Sequence, residues 1–134
     1  MAAGHEILVV DDDVDVRTAL QRVLERRGYV IRTAADAAEA IAEYRRRGAD
    51  LVITDVIMPG EDGISLIRRL RAEHPGVRIL AVSGGGKVSA YQPTAISTAA
   101  FLKSAELAGA DVLLTKPFER QELFDAIDRL LGAH

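Results

Sequence analysis

The sequence predicts an α/β domain built on a parallel sheet, and two observations carry that expectation. Residues 7–10, 51–54, 79–82 and 112–114 form short runs that are continuously apolar or β-branched instead of alternating polar and apolar. Such runs belong to strands covered on both faces, the habit of parallel sheets. Between them lie segments with helical spacing, so strand and helix alternate five times along the 134 residues. That alternation implies right-handed crossovers and helices on both faces of the sheet.

Taken in order, the first run leads into a helix whose stripe is Val16, Ala19, Leu20, Val23 and Leu24, stopped by Gly28. A weaker run at 29–33, interrupted by Arg32, fits an edge strand. The second helix shows Ala38, Ile41 and Ala42 on one face. Asp36 with Glu39 three residues on opens it as a capping box. Arg45, Arg46 and Arg47 close it where cations suit the helix dipole, and Gly48 follows. After the run at 51–54, Ile64, Ile67 and Leu70 mark a third helix ended by Pro75 and Gly76. The run at 79–82 is followed by an Ala-rich segment that reads as helical from near Pro93 to Gly109. The last strand, 112–114, precedes a helix carrying Leu123, Ile127, Leu130 and Leu131.

Composition narrows the function. Hydrophobic residues make up 49% and charged residues 28% of the chain, close to the globular average, which disfavours intrinsic disorder. The net charge of −3 gives no electrostatic reason to bind nucleic acid or an anionic membrane. Without cysteine, disulfide scaffolds, zinc–thiolate sites and cysteine nucleophiles are excluded. No secretory signal opens the chain, and no apolar run reaches the length of about 18 residues that crosses a bilayer. The expectation is one cytoplasmic domain, residues 1–134 with a core of about 5–131, no membrane insertion and no output domain.

Ligands of open α/β sheets sit beyond the carboxyl ends of the strands. Asp11, Asp12 and Asp13 follow the first run, Asp55 the third, Ser83 the fourth and Lys116 the fifth. Carboxylates gathered at one edge repel one another unless a cation joins them. Asp11, Asp12 and Asp55 therefore read as a site for a hard divalent ion, and so few carboxylates suit Mg²⁺ better than Ca²⁺. One of the three consecutive aspartates is expected to cap the following helix instead. Beside a metal, the Asp55 carboxylate is able to attack phosphorus and hold it as an aspartyl-phosphate. A hydroxyl and an ammonium then neutralise the phosphoryl oxygens. Lys116 stands out because the chain has only three lysines.

In this order the residues resemble the receiver domain of bacterial two-component response regulators. The motifs are Ile-Leu-Val-Val-Asp-Asp-Asp at 7–13, Asp-Val-Ile-Met-Pro-Gly-Glu-Asp-Gly at 55–63, Ala-Val-Ser-Gly at 81–84 and Leu-Thr-Lys-Pro-Phe at 114–118. The resemblance covers nearly the whole chain. It implies a flavodoxin-like, doubly wound five-stranded parallel sheet in the order 2-1-3-4-5. It also implies Asp55 as phosphoacceptor, with Mg²⁺ (or Mn²⁺) held by Asp11, Asp12, Asp55 and the backbone carbonyl of Ile57. Ser83 and Lys116 would contact the phosphoryl group, and the bond before Pro117 is a candidate cis peptide. The implied donor is a phosphohistidine on a sensor kinase or a phosphotransfer protein. A downstream protein target, no direct nucleic-acid contact and a monomer or weak dimer complete the implied picture.

Three features depart from the family pattern. Leu113 stands where many receivers carry an aromatic switch residue. Ile57 and Gly85 offer no polar side chain to orient an attacking water, which predicts slow loss of phosphate. Residues 84–110, with Gly84-Gly85-Gly86 at their start, form a long crossover; its extra portion reads either as a lid over Asp55 or as a tolerated surface insertion. Two competing readings stand beside the receiver. One is an unphosphorylated interaction module of the same fold. The other is a small aspartate-nucleophile phosphatase, suggested by Asp11-x-Asp13 but opposed by Asp15, where such enzymes want Thr or Val.

Overall fold

The computed structural model describes residues 4–56, 63–83, 108–115 and 117–132. Five strands, β1 (Glu6–Val10), β2 (Val30–Ala34), β3 (Leu51–Asp55), β4 (Ile79–Ser83) and β5 (Val112–Thr115), form one sheet. All neighbours are parallel, in the order β2-β1-β3-β4-β5. The described helices are α1 (Val14–Glu25), α2 (Ala37–Arg47), α3 (Gly63–Glu73) and the C-terminal α4 (Arg120–Leu131). Both the parallel sheet and its order are those expected.

The sheet is apolar on both faces because side chains alternate along each strand. Leu8, Val10, Val52, Ile79 and Ala81 pack with Ala40 and Ile41 of α2 and Leu66, Ile67 and Leu70 of α3. Ile7, Val9, Ile53, Leu80 and Val82 pack with Leu24 of α1 and Leu123, Phe124 and Ile127 of α4. The three strands β1, β3 and β4 are therefore sealed on both sides, which explains their unbroken apolar runs. Each fully buried aliphatic side chain is worth about 1.5–3 kcal/mol. The exposed Val30 marks β2 as the edge strand, and the strand begins one residue later than the apolar run, with Tyr29 buried just before it.

Helix boundaries follow the capping signals, but two helical faces differ from expectation. Asp13 caps α1 by accepting the amides of Asp15 and Val16, and Gly28 lies beyond its end at φ +96°. In α1 Ala19 is exposed, so the buried side is narrower than the stripe read from sequence. In α2 the buried residues are Ala37, Ala40 and Ile41, while Ala38 and Ala42 face solvent. Alanines on both sides give little hydrophobic contrast; Tyr44, packed against the core beneath α2, sets the phase. The Asp36 carboxylate accepts the Glu39 amide at 2.8 Å, while Glu39 reaches back to Ala35, one residue further than a capping box requires.

Charged side chains brace the sheet away from its carboxyl edge. Arg71 of α3 donates to the carbonyls of Pro75, Val77 and Gly109 at 2.7–2.9 Å and to Asp111 at 2.9 Å. Asp111 also accepts the Ile79 amide at 2.8 Å, so one guanidinium joins α3 to the entries of β4 and β5. Arg32, mostly covered on β2, pairs with Glu43 at 2.5 Å and Glu6 at 3.5 Å and donates to the Gly48 carbonyl. Its place inside an otherwise apolar run is thus compensated by carboxylates from two other elements.

Candidate functional site

At the carboxyl edge of the sheet, β1 and β3 end side by side, with Val10 in register with Thr54. Asp55 is the last residue of β3 and Asp11 follows the last residue of β1. Both side chains are buried, each only 4% exposed, in a core otherwise almost wholly apolar. Asp12 lies beside them, half-buried, and one carboxylate oxygen from each of the three falls within 4.8 Å of the others. Burying two carboxylates against a third is costly without positive charge or hydrogen bonds to offset it.

The donor set fits a small hard cation. Two oxygens on one Mg²⁺ are at most about 4.2 Å apart, twice a bond of about 2.1 Å. Adjacent ligands of the octahedron sit closer, about 3 Å apart, so carboxylate oxygens within 4.8 Å reach a shared ion by side-chain adjustments of about an ångström or two. Three carboxylates leave the other positions of an octahedron to water, a carbonyl or a substrate oxygen, as Mg²⁺ prefers.

The backbone around these acids is held tightly. The Asp11 amide donates to the Ala34 carbonyl at 3.2 Å, tying the turn to β2. The Asp11 carboxylate accepts the Asp13 amide at 2.9 Å, and Asp13 in turn caps α1. Arg17, at the end of the first turn of α1, folds back and donates to the Asp11 carbonyl at 2.6 Å. On the other strand, the Thr54 hydroxyl, fully buried, donates to the Asp55 carbonyl at 3.1 Å. Gly63 starts α3 directly against this peptide: a Cβ there would lie 2.1 Å from the Asp55 carbonyl oxygen. The Gly63 amide donates to Val56 at 2.9 Å, so the close approach is hydrogen-bonded.

Three comparisons bear on what such a site is for. The sequence matches the response regulator receiver domain over residues 7–128. The chain belongs to this family. It is 38% identical over 128 residues to the DNA-binding transcriptional regulator NtrC of Azospirillum brasilense, covering 96% of this chain and 24% of that protein. The receiver domain of NtrX from Brucella abortus superposes with a TM-score of 0.79 at 32% identity, over 96% of this chain and 99% of that one. The response regulator TrrA of Thermotoga maritima, solved in complex with Mg(2+)-BeF, gives 0.76 at 30% identity over 95% and 99%. The chain spans about a quarter of the length of the curated relatives it matches.

Within this receiver domain, Asp11, Asp12 and Asp55 are brought together as expected, and Asp13 is the aspartate that caps the helix. Ser83 ends β4, in register with Thr115 of β5, so its backbone stands at the same edge. Lys116 follows Thr115 in sequence and, with Ile57, Gly84 and Gly85, lies outside the described residues. The same holds for the crossover portion at 85–94 and for the peptide bond that joins Lys116 to Pro117; the Pro117 ring itself is exposed. Leu113 sits in β5 opposite Ala81, half-buried against the core on the α2–α3 side. The family shown is that of a signalling domain, the response regulator receiver. Among the described residues no helix is long and apolar enough to cross a membrane.

Arg17, Thr54 and Gly63 were not singled out from the sequence. Arg17 left one signal: a cation at the positive end of a helix opposes the dipole and so points to a specific acceptor. Gly63 left another, as a glycine at the start of an apolar helical pattern where a better helix former would stabilise. Thr54 reads as an ordinary β-branched strand residue and left none.

Proposed function

We propose that this receiver accepts a phosphoryl group on Asp55 from a phosphohistidine of a sensor kinase or a phosphotransfer protein. The observation that carries the reading is the trio of carboxylates within 4.8 Å, two of them buried, at the carboxyl edge of the sheet. Asp11, Asp12 and Asp55, with the Ile57 carbonyl, would hold Mg²⁺ or Mn²⁺, which would supply positive charge to the phosphoryl oxygens. An Asp55 carboxylate oxygen attacks phosphorus; the P–O bond forms as the P–N bond breaks, and the electron pair returns to the donor's imidazole nitrogen. Burial of Asp55 keeps bulk water from competing, while the Thr54 and Gly63 contacts to its peptide fix where the nucleophile stands. Ser83 and Lys116, from the ends of β4 and β5, complete the charge balance with a hydroxyl and an ammonium.

Phosphorylation then shifts the balance of conformations and so the surface offered to a downstream protein. With Ile57 and Gly85 offering no polar side chain to a water, the acyl phosphate persists longer than seconds in the isolated protein. The test is labelling from a phosphorylated histidine kinase or a small phosphoramidate donor, with Mg²⁺ and with EDTA. The expected result is labelling that needs Mg²⁺ and is lost in Asp55→Asn. Equal labelling of wild type and Asp55→Asn, or labelling indifferent to EDTA, overturns the proposal.

A further inference from the structure

Arg17 brings a cation onto the acid turn itself. Its guanidinium stands 2.6 Å from the Asp11 carbonyl, a charge-assisted distance, in a part-buried setting. Holding a long side chain folded back costs rotamer entropy, and a cation near a helix N-terminus opposes the dipole. The contact has to offset both.

What it restrains is the peptide between two of the three clustered carboxylates. Because the peptide unit is planar, fixing the Asp11 carbonyl also fixes the direction of the Asp12 amide and the path of the chain into Asp12. The Asp11 carboxylate is restrained separately, through the Asp13 amide at 2.9 Å. The Asp11 amide is anchored to Ala34 on β2 at 3.2 Å. The turn is thus held at its amide, its carboxylate and its carbonyl, and Arg17 supplies the last of these restraints.

We infer that Arg17 is a positioning residue for the divalent-ion site: by holding the Asp11–Asp12 peptide it presets the two carboxylates that, with Asp55, take the ion. This rests on the reading of Asp11, Asp12 and Asp55 as an ion site. Two physical effects of Arg17 have opposite signs, which makes the inference decidable. As a positive charge near the acids, the guanidinium by itself weakens cation binding, so its removal would tighten the site. As a restraint on ligand geometry it strengthens binding, and loss of such an outer support typically costs tenfold or more in metal affinity. The inference says that the second effect wins.

The experiment is a calorimetric titration of the unphosphorylated chain with Mg²⁺, repeated with Mn²⁺ by electron paramagnetic resonance. Wild type, Arg17→Met and Arg17→Lys are compared, with thermal unfolding in EDTA alongside. Arg17→Met is expected to weaken binding about tenfold, and Arg17→Lys, which keeps an N–H donor, to recover most of that loss. A purely structural role would lower the unfolding temperature in EDTA and leave the dissociation constant alone. Binding by Arg17→Met as tight as wild type or tighter overturns the inference. Should Arg17→Met not fold, Arg17→Gln, with its shorter side chain, takes its place, and binding by that variant as tight as wild type does the same. Absence of saturable binding by wild type removes the ion-site reading itself, and with it this inference.

Discussion

At the scale of single residues, arginines do much of the work that the sequence hid. Arg71 makes contacts to four separate residues, one of them 40 positions away in the chain. Arg71→Met is expected to cost about 2–3 kcal/mol in urea unfolding, with Arg71→Lys recovering only part because an ammonium cannot span four acceptors. The carboxylates show a related effect. Hydrogen bonds from Arg46 and Arg32 hold the Glu43 carboxyl below its usual range, and those from Arg45 do the same for Glu73. A carboxylate with a depressed folded pKa stabilises the fold above its unfolded value, near 4.5, and that contribution is lost as pH falls through the folded value. Urea unfolding of wild type and a Glu43→Gln, Glu73→Gln double variant is predicted to diverge most at neutral pH and to converge below about pH 4.5. Tyr29 behaves with the opposite sign. Its phenol is pushed up, first by burial and then by Asp128, so its contribution is complete below pH 10.0 and fades above it.

At the scale of elements, α2 and α3 show where periodicity suffices and where it does not. Ile64, Ile67 and Leu70 stand against polar neighbours, so the face of α3 was legible. In α2 alanines at 37, 38, 40 and 42 give so little contrast that the sequence puts Ala38 and Ala42 on the buried face, whereas Ala37, Ala40 and Ile41 occupy it, with Tyr44 packed against the core. Ala40→Glu is therefore expected to abolish cooperative unfolding, whereas Ala42→Glu shifts stability by no more than about 0.5 kcal/mol. The start of α3 carries a stricter demand. A Cβ on Gly63 would overlap the Asp55 carbonyl oxygen and press on Val56 Cα at 2.7 Å, both backbone atoms that cannot rotate away. Gly63→Ala is expected to lose about 1–3 kcal/mol or more. Its phosphorylation rate is expected to fall even where circular dichroism shows it folded, because α3 and the Asp55 peptide must move apart.

At the scale of the whole molecule, the sheet separates support from chemistry. Arg71 and Asp111 brace the amino edge, while Asp11, Asp12 and Asp55 gather at the carboxyl edge. The gathering was legible because continuous apolar runs fix a parallel sheet, and a parallel sheet fixes which edge collects the residues after each strand. The supports were less legible. Arg17 reaches a backbone carbonyl and Gly63 matters for what a Cβ would strike, and residue type at the helix start hints that each has a role without saying which; Thr54 looks like any strand threonine. The central claim is that Asp55 itself carries the phosphoryl group. Borohydride reduction of the phosphorylated chain, followed by peptide mapping, tests it most directly, since an acyl phosphate is reduced to an alcohol at the residue that bore it. Homoserine at position 55 and nowhere else is the predicted result; unreduced Asp55 in a labelled protein, or homoserine at Asp11 or Asp12, would contradict it.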